Sequence, residues 1–88
     1  MRLLWTEAAW EDNVYWQETD PAVARRINEL LKDARRSPLK GIDKPEPLKG
    51  VLAGWWSRRI AADHRLVYRL SGKAEARQLE IAASRYHY

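Results

Sequence analysis

Trp55-Trp56-Ser57-Arg58-Arg59-Ile60-Ala61-Ala62-Asp63-His64-Arg65-Leu66-Val67-Tyr68-Arg69-Leu70 is the stretch that decides the fold class. Across residues 55–61 aromatic or aliphatic side chains alternate with polar ones, and residues 64–70 alternate again. A period of two sends successive side chains to opposite faces, which is the pattern of a strand. Ala62-Asp63 supplies a turn between the two halves, so the stretch reads as a β-hairpin. Alternation also sorts the side chains. Arg65, Val67 and Arg69 share one face of the second strand, and Leu66, Tyr68 and Leu70 share the other. In the first strand Ser57 and Arg59 lie together, opposite Arg58 and Ile60. A concave sheet face lined by arginines from neighbouring strands is therefore expected, with its register left to the strand pairing.

C-terminal to the hairpin, Ser71-Gly72-Lys73 forms another turn and Gln78 to Ser84 a last strand, with Leu79, Ile81 and Ala83 facing inward. N-terminal to it, residues 37–50 form a loop stiffened by Pro38, Pro45 and Pro47, with Gly41 and Gly50 as turn residues. Before the loop, Asp20-Pro21 marks a helix start: Asp20 caps, and Pro21 loses nothing by lacking an N–H at the first helical position. Val23, Ile27, Leu30, Leu31 and Ala34 make one helical face, while Arg25, Arg26, Lys32, Arg35 and Arg36 lie mostly off it. Ser37-Pro38 ends this helix. Thr6 caps an earlier helix over roughly residues 7–18, with Glu7, Glu11 and Asp12 near its positive end and Ala9, Trp10, Val14 and Trp16 as apolar positions. Arg2-Leu3-Leu4-Trp5 opens the chain as a strand. The order is β-α-α-β-β-β, an α+β fold with an antiparallel sheet and two N-terminal helices on one face.

Eighty-eight residues make a single domain, 1–88, with a small stability margin. The absence of cysteine excludes a disulfide or a thiolate metal site and permits the cytoplasmic location expected here. His64 and His87 stand 23 positions apart without further paired ligands, so no zinc site is expected and no cofactor is called for. There is no P-loop, GxGxxG or GxSxG motif. No apolar run approaches the ~18 residues that span a bilayer. Acidic residues follow Leu3-Leu4-Trp5 at once, unlike a signal peptide. Net charge is +4, but residues 1–24 carry −4 and residues 25–88 carry +8. Eleven of the 16 basic residues are arginine, whose planar fork grips phosphate. Such a balance fits a nucleic-acid binder, and equally a basic solvated surface.

Cleavage of RNA through its own 2′-hydroxyl needs a base, cations to stabilise the pentacoordinate phosphorus, and an acid for the leaving 5′ oxygen. Metal is not required. Glu46, between Pro45 and Pro47, is a base on a rigid loop or a solvated loop acid. Arg65 and Arg59 are phosphate clamps or surface cations on a polar sheet face. The chain closes with Arg85-Tyr86-His87-Tyr88. His87 is the general acid, with a neighbouring terminal carboxylate favouring its imidazolium, or an exposed terminal residue. Tyr86 and Tyr88 can stack on bases, or one can pack on the sheet. His64 follows Asp63 at the turn and reads as structural, and the tryptophans read as core or partner interface.

In combination, Trp16-Gln17-Glu18-Thr19-Asp20, Ile27-Asn28-Glu29-Leu30, Lys44-Pro45-Glu46-Pro47-Leu48-Lys49, Trp56-Ser57-Arg58-Arg59-Ile60, His64-Arg65-Leu66-Val67-Tyr68 and Arg85-Tyr86-His87-Tyr88 closely resemble the Txe/YoeB family of bacterial toxins, within the RelE-like group. The likeness runs through nearly the whole chain, and Leu70 to Gln78 is its least familiar part. The resemblance implies a microbial-ribonuclease-like fold and a metal-independent endonuclease that cuts mRNA in the ribosomal A site, leaving a 2′,3′-cyclic phosphate. Carried over by motif, Glu46 would be the base, Arg65 the transition-state clamp and His87 the acid. Tyr88 would orient substrate or acid, and Arg59 and Lys49 would support phosphate binding. The family also implies a YefM-like antitoxin whose acidic segment covers the site and whose other half binds operator DNA, so that the complex represses its own operon. The tryptophan pairs and the family precedent allow a homodimer. The competing reading is a basic module that blocks the ribosome or holds RNA without cutting it, or that serves as a scaffold for an acidic partner.

Overall fold

The computed structural model describes residues 1–86; His87 and Tyr88 lie outside the described residues. The chain runs β1 (Arg2–Trp5), α1 (Glu7–Thr19), α2 (Pro21–Arg36), β2 (Glu46–Pro47), β3 (Trp56–Ala61), β4 (His64–Ser71) and β5 (Gln78–Ala83). Two short 3-10 turns, Gly50–Leu52 and Ala74–Ala76, sit in the connections. The caps fall where the sequence places them. Thr6 Oγ1 accepts the Ala9 N–H at 3.0 Å and Asp20 Oδ1 accepts the Val23 N–H at 3.4 Å, bonds that commonly contribute about 1 kcal/mol each. Asp20 ends α1 and starts α2, so the helices form a tight hairpin.

The sheet has the order β1-β5-β4-β3-β2. It is mixed rather than wholly antiparallel, because β1 pairs parallel to β5 with Leu3 opposite Leu79. The two strands lie at opposite ends of the chain, and the helices and hairpins between them supply the long crossover that a parallel pair needs. The sheet also gains a strand from the expected loop: Glu46 and Pro47 pair antiparallel with Ser57 and Trp56.

Both helices lay their apolar stripes on one face of this sheet. Ile27, Leu30 and Ala34 of α2 meet Ile60, Leu66, Tyr68, Leu79 and Ile81 in one cluster. Ile27, Leu30, Leu66, Leu79 and Ile81 are fully buried, and each contributes about 1.5–3 kcal/mol of hydrophobic stabilisation. The buried face of α1 is Ala9, Asn13 and Trp16. Trp10 is instead 51% exposed and packs edge-on against Trp5 at 5.9 Å between ring centres. One residue on from Ala9 is about 100° round the helix, which turns Trp10 off the core stripe. Among the described residues, no helix is long and apolar enough to cross a membrane.

Candidate functional site

The strand pairing brings three of the expected residues together. Arg59 on β3 stands directly opposite Arg65 on β4. Glu46 on β2 stands opposite Ser57, two residues before Arg59 on the same face of β3. Glu46, Arg59 and Arg65, with Asp43 and Lys44, line a cleft of about 330 Å³. Ser57 is buried beneath it, and an Arg65 guanidinium nitrogen lies 3.5 Å from its Oγ. Two like charges directly opposite in a sheet repel, and among the described residues neither arginine makes an ion pair with a carboxylate. The cleft thus gathers Lys44, Arg59 and Arg65 beside two carboxylates, of which Asp43 is paired with Arg26. Arg69, grouped with Arg65 by alternation, is engaged further along β4: it pairs with Glu80 at 2.9 Å and lies over the Trp55 ring. Lys49 sits just before the Gly50–Leu52 turn and is exposed, beside rather than among the lining residues.

The C-terminal segment is clamped toward the same end of β4. Trp16 Nε1 donates to the Ser84 carbonyl at 2.8 Å, and Asp12 Oδ2 accepts the Ser84 N–H at 3.0 Å. The Arg65 N–H donates to the Tyr86 carbonyl at 2.9 Å, and the Tyr86 N–H donates to His64 Nδ1 at 2.8 Å. The guanidinium of Arg85 lies 3.6 Å from the Tyr15 ring centre and donates to the Tyr86 hydroxyl. Arg85 is therefore an anchor for the tail. Tyr86 has φ +63° and an exposed ring, tilted against the His64 imidazole at 5.5 Å. His64 has the structural role its sequence position indicates. The expected acid His87 and its neighbour Tyr88 lie outside the described residues.

Residues 5–88 match the family model described as the YoeB-like toxin of bacterial type II toxin–antitoxin systems. The chain belongs to that family. Toxin YoeB of Escherichia coli K12 is 54% identical over 88 residues, covering all of both chains. The solved YoeB/ParE toxin from Agrobacterium tumefaciens superposes with a TM-score of 0.97 at 50% identity over the whole of both chains. The Staphylococcus aureus YoeB dimer and YoeB–YefM complex each give a TM-score of 0.88, at 42% and 40% identity, covering 100% of this chain and 98% of those chains. YafQ from Escherichia coli, at 18% identity and a TM-score of 0.75 over 99% of this chain and 94% of that one, shares the fold.

The YoeB-like frame contains a cation that alternation places on the core face but to which it gives no purpose. Arg58 is fully buried. Its Nε donates to the Tyr68 hydroxyl at 2.9 Å, and its terminal nitrogens donate to Asp33 Oδ2 at 2.6 Å and to the carbonyls of Ser37, Lys40 and Ile42. Tyr68 in turn donates to the Pro38 carbonyl at 2.5 Å. The Arg58 hydrogen bond holds the Asp33 carboxyl below the usual carboxylate range, and burial pushes the Tyr68 phenol up. The available signal was a charged residue in phase with Ile60 and facing Leu66, where only a satisfied charge survives. Asp43 and Lys44 were also missed as cleft residues. Both have left-handed backbone, φ +56° and +45°, and such strain, about 1–3 kcal/mol per residue, persists where the surroundings over-determine it.

Proposed function

We propose that this protein is a ribosome-dependent mRNA endonuclease that cuts mRNA in the ribosomal A site and so stops translation. The observation that carries this reading is the convergence of Glu46, Arg59 and Arg65 on one cleft. Glu46 takes the proton of the 2′-hydroxyl, and the freed oxygen attacks the adjacent phosphorus. Arg65 stabilises the added charge of the pentacoordinate transition state, with Arg59 and Lys49 holding phosphate oxygens. The bond from phosphorus to the 5′ oxygen breaks, and His87 donates the proton that this oxygen takes. The products are a 2′,3′-cyclic phosphate and a 5′-hydroxyl. Tyr88 orients the substrate or the acid, and Tyr86 offers a ring for a base. No step requires a metal.

The solved Staphylococcus aureus relatives, a YoeB dimer and a YoeB–YefM complex, support two partners here. One is a YefM-like antitoxin that neutralises the protein in the cytoplasm and carries it to operator DNA. The other is a second copy of the chain.

Mapping new mRNA ends in a translating extract tests the reading. Glu46→Ala and His87→Gln should each lower cleavage by about 10²–10⁴-fold, the usual contribution of a positioned acid or base. Variants that cut like the parent would overturn the assignment. A translation arrest with no new ends would favour the non-cleaving, ribosome-blocking reading.

A further inference from the structure

We propose that Arg58, with Asp33 and Tyr68, is a latch that positions the candidate base Glu46, a role that rests on reading Glu46 as the base. β2 is two residues long, so the ladder to β3 holds Glu46 from only one side. Upstream, the chain must pass through Gly41 at φ +121° and through Asp43 and Lys44, both with left-handed backbone, before Pro45. Gly41 takes its positive φ without strain, but two consecutive left-handed non-glycine residues, the second directly before a proline, run against the backbone's ordinary preferences. The latch supplies the missing constraint. Arg58 binds three carbonyls of the segment, those of Ser37, Lys40 and Ile42. Asp33 accepts the Ile42 N–H at 3.1 Å and fixes the Arg58 fork. The Tyr68 hydroxyl takes Pro38, and Arg26 pairs with Asp43. The packing leaves no slack at Gly41, where an added Cβ would collide with Asp33 Oδ2.

The two faces of β3 thus divide the work. Arg59 looks into the cleft, while its neighbour Arg58 reaches through the core to the loop that carries the other wall. A guanidinium suits this place because its planar fork satisfies several acceptors at once, which an ammonium cannot do in the same geometry.

Tyr68→Phe and Arg58→Lys test the latch. The first keeps the ring and its burial and removes only the hydroxyl; the second keeps the charge and removes the fork. Both are examined as folded protein, below their unfolding temperatures. Amide exchange should accelerate at the non-proline residues of 38–46, above all at Ile42, whose N–H is bonded to Asp33, and stay at the parent rate in α1 and β5. Single-turnover cleavage on programmed ribosomes should fall about 10–100-fold, the scale of an ångström misplacement, while ribosome affinity stays within about twofold of the parent. In a Glu46→Ala background, Tyr68→Phe should add no further loss, because both act on the same group. Parent-like exchange at 38–46, or losses that multiply in the double variant, would overturn the latch. A parent that does not cut mRNA would instead sink the reading of Glu46 as base, and the exchange result alone would then decide whether the segment is latched.

Discussion

The imidazole of His64 accepts the backbone N–H of Tyr86 through Nδ1 at 2.8 Å, which ties the start of β4 to the tail that leads into His87 and Tyr88. The bond requires Nδ1 to be free of its proton. His64→Ala removes the acceptor and leaves the other tail clamps in place. The Tyr86 amide should then exchange several-fold faster, with a stability loss of about 1 kcal/mol, and mRNA cleavage should fall. Native-state exchange at Tyr86 decides the point; an unchanged rate would mean that the imidazole does not hold the tail.

Arg59 faces Arg65 across β3 and β4, so activity and stability should respond to Arg59→Ala in opposite directions. Relief of like-charge repulsion should raise stability slightly, by about 0.2–1 kcal/mol. Loss of a phosphate contact should lower cleavage. A urea titration beside a cleavage assay reads both, and a variant less stable than the parent would contradict the repulsion.

Arg65→Lys should not rescue what Arg65→Ala loses. Removing a preorganised donor to a charged transition state costs about 10²–10³-fold in rate, and a point-charge ammonium lacks the fork that spans two phosphate oxygens. Near-parent cleavage by the lysine variant would show that net charge alone suffices.

Asp33 provides an acid-stability test. Its carboxyl is held low mainly by the hydrogen bond from Arg58. A carboxyl with a lowered folded value contributes stability that is present above its unfolded value, about 3.9, and is lost as the pH falls through the folded value. Asp33→Asn should destabilise the protein by about 3–5 kcal/mol at neutral pH, because it leaves Arg58 buried with its partner charge removed. The gap between parent and variant should narrow below about pH 4. Urea midpoints measured from pH 7 to pH 2 check this, and a constant gap would contradict the pairing.

Period-two alternation over residues 55–70, one helical stripe from Val23 to Ala34, and the capping residues Thr6 and Asp20 were legible without coordinates, because each is a local property of consecutive residues. These patterns yielded the element order apart from the Glu46–Pro47 strand, the inward faces of α2 and β5, and the placement of Arg59 with Ser57. Motifs elsewhere, Lys44 to Lys49 and Arg85 to Tyr88, together with Arg65 on the second strand of the hairpin, led to the expectation that Glu46, Arg65 and His87 share one mechanism. Trp10 shows the limit of this reading: it is apolar and helical, yet only packing shows that Ala9, Asn13 and Trp16 make the buried face.

Tertiary structure alone decided what lies between distant segments. It set β1 parallel to β5, 76 residues away in the case of Arg2 and Gln78. It made a strand of Glu46-Pro47, which has too few residues to carry a period. It also gave Arg58 its partners, which lie on α2, on the following loop and on β4. The physical reason is common to all three. Alternation states which way a side chain points, but register, crossover and the satisfaction of a buried charge depend on what another part of the chain brings opposite it.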